Sequence, residues 1–209
     1  MQGRLITFEG IDGAGKSTHI EACVDALRAR GHTVVATREP GGTPLAERLR
    51  DLLLSEPMSM TAELLLMNAA RCDHVEKVVR PALEQGQWVV CDRFVDATWA
   101  YQGGGRGADT GRIAWLEDWV TGGLRPDRTF LFDLAPAKAA ERRARSRGAD
   151  RFEREDERFF EKVRNAYLAR AAAEPTRFVV LDSQERVAQV RQRLLDALEV
   201  LDPRGAVSS

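Results

Sequence analysis

With 209 residues, 44% of them hydrophobic and 30% charged, the chain is long enough to bury one sizeable core and reads as a single soluble globular domain over residues 1–209. Its 31 Lys and Arg against 32 Asp and Glu leave a net charge of -1, which excludes long-range attraction to nucleic acid or an anionic membrane and confines any basic site to a local cluster. The three cysteines, Cys23, Cys72 and Cys91, lack a CxxC pair, and no apolar run reaches the roughly 20 residues of a membrane span, which sets aside a disulfide framework, a zinc site and a membrane anchor and favours a reducing cytoplasm.

The first strand-length apolar run is LITFE from Leu5, and GIDGAGKST over residues 10–18 follows it directly. Gly10, Gly15, Lys16 and Ser17 satisfy the GxxxxGK[ST] phosphate-loop pattern. In that pattern Gly10, Ile11, Asp12, Gly13, Ala14, Gly15, Lys16, Ser17 and Thr18 wrap the phosphates of ATP. Backbone N–H groups converge on the phosphate oxygens, Lys16 reaches the β and γ phosphates, and Ser17 can hold Mg2+. A strand-to-helix turn that binds nothing needs neither Lys16 nor Ser17 in this register. Asp12, inside the loop, is placed to help organise the cation through water. The helix opening from the loop carries Ile20, Cys23, Val24 and Leu27 at i, i+3, i+4, i+7 spacing, with Gly31 where a C-cap glycine belongs.

A second strand, TVVAT from Thr33, leads into TREPGGT, where Arg38 is expected to face the same crevice as the phosphate loop while Pro40, Gly41 and Gly42 turn the chain. The third strand, WVVCD from Trp88, brings Asp92 and Arg93 to a matching carboxyl end. Two guanidiniums converging there suit a phosphate monoester, because Arg binds phosphate oxygens bidentately. Asp92 reads either as an outer partner of the cation or as a carboxylate paired with Arg93. YQGGGRG, residues 101–107, has too many glycines for a regular element and reads as a functional loop.

The fourth and fifth strands are TFLFD from Thr129 and FVVLD from Phe178. Between them, residues 141–158 hold Arg142, Arg143, Arg145, Arg147, Arg151 and Arg154. A solvated helix face accounts for some of these. It explains poorly the like-charge spacing of Arg143, Arg147 and Arg151. A mobile lid explains it better, since an arginine from a closing segment can neutralise a phosphoryl group in flight. Arg147 and Arg151, flanking Gly148, are the lid arginines selected. The last helix repeats Val187, Val190, Leu194, Leu198 and Leu201, and residues 203–209 read as a frayed tail. Trp99, Trp115 and Trp119 read as packing residues, and His19, His32 and His74 lack partners at metal-ligand spacing.

Strands alternating with helices define an α/β domain, a parallel sheet of about five strands covered on both faces, with ligands beyond the strands' carboxyl ends. There is no NKxD segment to read guanine, and the length suits a small kinase.

TREPGGT, the AAR within LLLMNAARCDHVE, the DRF triplet and AYQGGGRG, in this order, resemble the bacterial thymidylate kinase family of P-loop nucleoside monophosphate kinases over residues 5–181. The resemblance implies transfer of the γ-phosphoryl group of ATP to dTMP. It implies a dTMP phosphate held by Arg38 and Arg93, and a thymine read by Arg71, Thr98 and Gln102. Asp12 would accept the 3′-hydroxyl, and Tyr101 would crowd the 2′ position. Gln102 carries both a donor and an acceptor for the N3–H and O4 edge, whereas Arg71 can only donate. Many relatives place an aromatic residue where this chain has Met67, whose thioether can lie against a ring without stacking. One branch of the family carries an arginine where this chain has Gly13, the other carries its arginines in the lid, and this chain looks like the second. A homodimer through helices such as residues 64–79 is also implied. A kinase of another pyrimidine nucleotide, or a nucleotide-binding regulator without catalysis, are the alternatives.

Overall fold

The computed structural model describes residues 3–144 and 151–202. Strands β1 (Leu5–Glu9), β2 (Val34–Arg38), β3 (Trp88–Asp92), β4 (Arg128–Asp133) and β5 (Phe178–Asp182) pair in parallel in the order β2-β3-β1-β4-β5. The helices are α1 (Lys16–Ala29), α2 (Pro44–Ser55), α3 (Met60–His74), α4 (Arg80–Glu84), α5 (Val95–Thr98), α6 (Thr110–Thr121), α7 (Pro136–Arg143), α8 (Glu157–Ala173) and α9 (Val187–Leu201).

Alternation along each strand sends side chains to two cores. Ile6 and Phe8 of β1 and Val90 of β3 join the cluster that includes Leu27 of α1, Val163 of α8 and Leu194 of α9. Leu5, Val89 and Cys91 point the other way, toward Val79 and Ala82. Both faces being covered is why these strands read as unbroken apolar runs. Each fully buried Leu, Ile or Phe contributes about 1.5–3 kcal/mol relative to exposure, so the two clusters supply most of the driving force.

Local signals fix where the helices begin. The Thr43 hydroxyl accepts from Ala46 N at 3.0 Å to open α2, with Pro44 in the first turn. Ser59 Oγ accepts from Ala62 N at 3.2 Å to open α3, and Asp156 Oδ1 accepts from Phe159 N at 2.8 Å to open α8. Such caps are worth about 1 kcal/mol each.

From β1 the chain crosses to β2 on one side of the sheet, and from β3 it crosses to β4 on the other. The connections leaving β1 and β3 therefore diverge, which opens a crevice at their carboxyl ends. The phosphate loop follows β1 and Arg93 follows β3, so topology alone brings them together.

Residues 101–105 are not a loop, and of the stretch to 107 only Arg106 and Gly107 lie outside regular structure. Trp99–Gly105 forms a π-helical stretch that continues α5 and packs against α8. A Cβ at Gly104 would lie 2.5 Å from Ala166 Cβ, and one at Gly105 2.5 Å from Phe159 Cε2, so these glycines serve close helix approach. Trp115 and Trp119 also depart from expectation: they are 61% and 68% exposed on α6 with ring centroids 5.0 Å apart. The stretch read as a lid begins as α7 and ends as the start of α8. Arg145, Arg147 and Gly148 lie outside the described residues, as does the tail from 203.

Candidate functional site

After β1 the chain turns through residues 10–15 before Lys16 opens α1. Gly13 has a φ of 86°, and a Cβ there would lie 2.6 Å from Ala139 O of α7. An arginine at this position would require α7 to shift. Lys16 is buried, its Nζ donating to the carbonyls of Gly10 at 3.1 Å and Ile11 at 3.3 Å. Burial, and then Arg93, lower its pKa against the opposing pull of Asp92, Asp12 and Glu9. Ser17 and Thr18 are exposed in the first turn of α1, where unpaired N–H groups and the helix dipole favour an anion.

Two arginines from the last turn of α7 approach this loop. Arg143 Nη1 donates to Asp12 O at 2.8 Å, and Arg142 Nη2 donates to Ser183 O at 2.8 Å. A Cβ on Gly15 would stand 3.7 Å from Arg142 Nη1. Both guanidiniums thus border the space where phosphates would lie.

Asp12, Arg93 and Tyr101 form a closed triangle. Arg93 Nη2 donates to Asp12 Oδ1 at 2.7 Å and to Tyr101 Oη at 3.2 Å, and Tyr101 Oη donates to Asp12 Oδ2 at 3.0 Å. Burial works to raise the Asp12 carboxyl, but Arg93 and then Lys16 outweigh it and hold the group well below the usual carboxylate range. The triangle opens onto a crevice lined also by Glu39, Pro40, Arg50, Leu54, Met67, Ala97 and Phe152. Two guanidiniums beside apolar walls suit a ligand that is anionic at one end.

Behind the crevice the polar groups are paired. Arg71, 3% exposed, donates through Nε to Glu39 Oε2 at 2.7 Å, through Nη1 to Thr98 Oγ1 at 2.9 Å and through Nη2 to Phe94 O at 3.0 Å. His74 Nδ1 donates to Glu39 Oε1 at 2.9 Å. Burial opposes ionisation of Glu39, yet Arg71 and His74 bring its pKa below the ordinary value. Gln102 Nε2 donates to Glu63 Oε1 at 2.8 Å, while Gln102 Oε1 is buried with no hydrogen-bond partner among the described residues.

Several expectations need correction. Arg38 does not enter the crevice: on the edge strand β2 it points outward and donates to Glu47 Oε2 at 2.8 Å, half-exposed. The second guanidinium is that of Arg50, whose Nη1 donates to Pro40 O at 3.0 Å. Arg151 is not poised over the phosphate loop. Its Nε donates to Leu53 O at 2.9 Å, its Nη2 pairs with Glu63 Oε2 at 2.7 Å, and its guanidinium stacks on Phe152. Buried Glu63 also takes Arg106, so the segment after residue 150 is anchored to α3. Thr98 and Gln102 are fully buried behind the crevice, whereas Met67 lines it.

Arg50, Glu39, Phe152 and Glu63 went unselected in the sequence. Glu39 stands inside TREPGGT, read for its arginine, and Phe152 stands next to Arg151 in the stretch read as a lid. Arg50 lies in an ordinary amphipathic helix with nothing local to mark it.

For a cation, no cluster of three His, Cys, Asp or Glu side chains is present among the described residues. Asp92 Oδ1, however, is buried with no hydrogen-bond partner among the described residues, and Asp92 acts electrostatically on Lys16, the neighbour of exposed Ser17 at the start of α1. Both Asp12 oxygens are already engaged by Arg93 and Tyr101. The donor set fits an oxygen-seeking cation that keeps most of its own water.

The sequence profile described as thymidylate kinase matches residues 8–194. A thymidylate kinase of Bordetella petrii is 58% identical over 200 residues, covering 96% of this chain and 97% of the relative. One from Cupriavidus necator is 56% identical, covering 93% and 97%. Among solved structures, the thymidylate kinase of Ehrlichia chaffeensis superposes with a TM-score of 0.77 at 34% identity, covering 95% of this chain and 99% of that one.

Proposed function

This chain belongs to the thymidylate kinase family, and from that premise we propose how its residues divide the transfer of a phosphoryl group from ATP to dTMP. The observation that carries the assignment is the Arg93, Asp12 and Tyr101 triangle set beside Lys16. Residues 10–18 hold the ATP phosphates through backbone N–H groups and Lys16. Arg93 and Arg50 bind the dTMP phosphate, whose oxygen attacks the γ-phosphorus in line. The attacking group is already anionic, so no side-chain base is needed, and rate comes from positioning and charge neutralisation. Arg142 and Arg143 neutralise the transferring group from above the loop.

The base lies along Met67. Arg71, held by Thr98, lines the crevice beside the base, while Gln102, buried behind the crevice, does not reach it in this arrangement. Asp12 accepts the ribose 3′-hydroxyl and the Tyr101 ring crowds the 2′ carbon. Mg2+ would be held by the Ser17 hydroxyl and, through water, by Asp92, the Asp12 oxygens being engaged by Arg93 and Tyr101; when bound it would offset phosphate charge.

Exposed Trp115 and Trp119 on α6, with exposed Leu65 on the adjacent α3, form an apolar patch suited to a second copy of the chain, which supports a homodimer. No helix among the described residues is long and apolar enough to cross a membrane. The three free cysteines support a reducing, cytoplasmic setting.

A coupled ADP-release assay against a panel of nucleoside monophosphates tests the assignment. We expect dTMP to be preferred over dCMP by more than about tenfold, because a buried polar mismatch is heavily penalised. Equal rates with both, or no ADP release with any acceptor, would overturn it.

A further inference from the structure

Arg93 is the only non-glycine residue with positive φ, 68°, among the described residues. A bulky side chain rarely adopts that backbone conformation, and where it does the surroundings hold it there. Two buried groups that touch no part of the crevice do the holding. Glu9 Oε1 accepts from the backbone N–H of Phe94 at 2.7 Å, pinning the residue next to Arg93. Glu9 Oε2 accepts from Tyr167 Oη at 2.7 Å, and Tyr167 Oη in turn accepts from Arg93 Nη1 at 3.2 Å. The loop closes on itself: backbone at Phe94, carboxylate, phenol, guanidinium, and back to the same turn.

Arg can only donate, whereas a phenol can both donate and accept, so Tyr167 accepts from Arg93 and meets the Glu9 carboxyl in either of its protonation states. Phenylalanine would leave both ends open. With Nη1 tied to Tyr167 and Nη2 tied to Asp12 and Tyr101, the guanidinium plane is held at both terminal nitrogens. Glu9 and Tyr167 are 0% and 1% exposed. Burial and then Asp96 push the Glu9 carboxyl up to about 8.

We propose that Glu9 and Tyr167 are positioning residues for Arg93: together they hold its strained backbone and the plane of its guanidinium in the orientation that grips the acceptor phosphate. The inference rests on the assignment of Arg93 to that phosphate. Neither residue touches substrate. Their effect runs through Arg93 alone, so the acceptor side of the reaction should feel their loss and the ATP side should not.

The test is steady-state kinetics on Tyr167→Phe, Glu9→Gln and the double variant, with thermal melting of each. Tyr167→Phe keeps the ring and its packing and removes only the relay. It should raise the KM for dTMP about tenfold, lower kcat, and leave the KM for ATP within about twofold. Glu9→Gln retains an oxygen for Phe94 N–H and should give a smaller effect of the same kind. Because the residues act in one chain, the double variant should be barely worse than Tyr167→Phe alone. If Glu9→Gln fails to fold, Tyr167→Phe decides the matter. A dTMP KM within twofold of the parent in Tyr167→Phe, or equal losses on the dTMP and ATP sides, overturns the inference. A parent enzyme that does not phosphorylate dTMP overturns the functional assignment instead.

Discussion

Arg93 Nη2 stands 2.7 Å from Asp12 Oδ1, an ion pair that joins the turn after β3 to the phosphate loop after β1. On the proposed assignment the pair sits where the acceptor and donor phosphates meet, so its arginine should act in binding and in catalysis together. Arg93→Ala should lower kcat by about 10²–10³-fold and also raise the KM for dTMP, the pattern of a contact made in the ground state and strengthened as charge shifts. Unchanged kinetics with dTMP would reduce Arg93 to a structural ion-pair residue.

Arg38 and Arg50 should separate cleanly. The Arg38–Glu47 pair is 52% and 39% exposed, and such pairs are worth about 0–1 kcal/mol. Arg38→Ala should leave kcat and both KM values within about twofold. Arg50→Ala, which removes a guanidinium from the crevice, should raise the KM for dTMP about tenfold or more. The reverse ranking in a side-by-side assay would restore Arg38 to the site.

These two arginines also show how far the sequence reaches. The five strands and the phosphate loop were legible because continuous apolar runs and a fixed glycine spacing are local signals. Which way Arg38 points was not, because it depends on β2 being the sheet edge and on Glu47 arriving from α2. Arg50 was hidden for the same reason: its role comes from helix packing, not from any pattern in its neighbours. Gly104 and Gly105 misled in the opposite sense. A glycine run looks the same whether it frees a loop or lets Phe159 and Ala166 approach a helix. Arg71 and Met67 were found through motif resemblance, and the structure adds what the motif could not, the Glu39 carboxylate that fixes the arginine.

The buried carboxyl of Glu9 gives a pH prediction. Its folded pKa is raised from 4.5 to about 8, by burial first and Asp96 second. A raised carboxyl favours the protonated folded state, so its contribution to stability is full below pH 4.5 and is lost as pH rises through about 8. Between about pH 5 and 8.5 the parent should therefore lose more thermal stability than Glu9→Gln does. The difference between the two melting curves isolates this group from others that titrate. Parallel curves across that window would mean that Glu9 ionises at an ordinary value.

The lid arginines offer the sharpest contrast, because the structure gives neighbouring residues opposite roles. Arg151 is tied down by two carbonyl contacts, from its backbone N to Leu54 O at 3.2 Å and from Nε to Leu53 O at 2.9 Å, and by its pair with buried Glu63. Removing it leaves Glu63 with Arg106 and Gln102 only, so Arg151→Ala should destabilise by about 2–3 kcal/mol, somewhat less than the loss of a buried ion pair's sole partner. Its kcat should stay within a few-fold where the enzyme is folded. Arg143 instead reaches Asp12 O in the phosphate loop itself. If it neutralises the moving phosphoryl group, Arg143→Ala should lower kcat by about 10³-fold, with little change in KM for ATP, and, through loss of its stacking on Phe160, lower melting less than Arg151→Ala does. The reasoning is differential binding: a cation that gains its full contact only as the phosphoryl group moves does little for the ground state. Arg142→Ala should fall between, since its guanidinium also holds the Ser183 carbonyl. A melting curve and a kcat for each of the three variants decide the matter. Should Arg151→Ala prove to be the slow enzyme and Arg143→Ala the unstable one, the catalytic cation belongs to the segment beyond residue 150 and α7 is its scaffold.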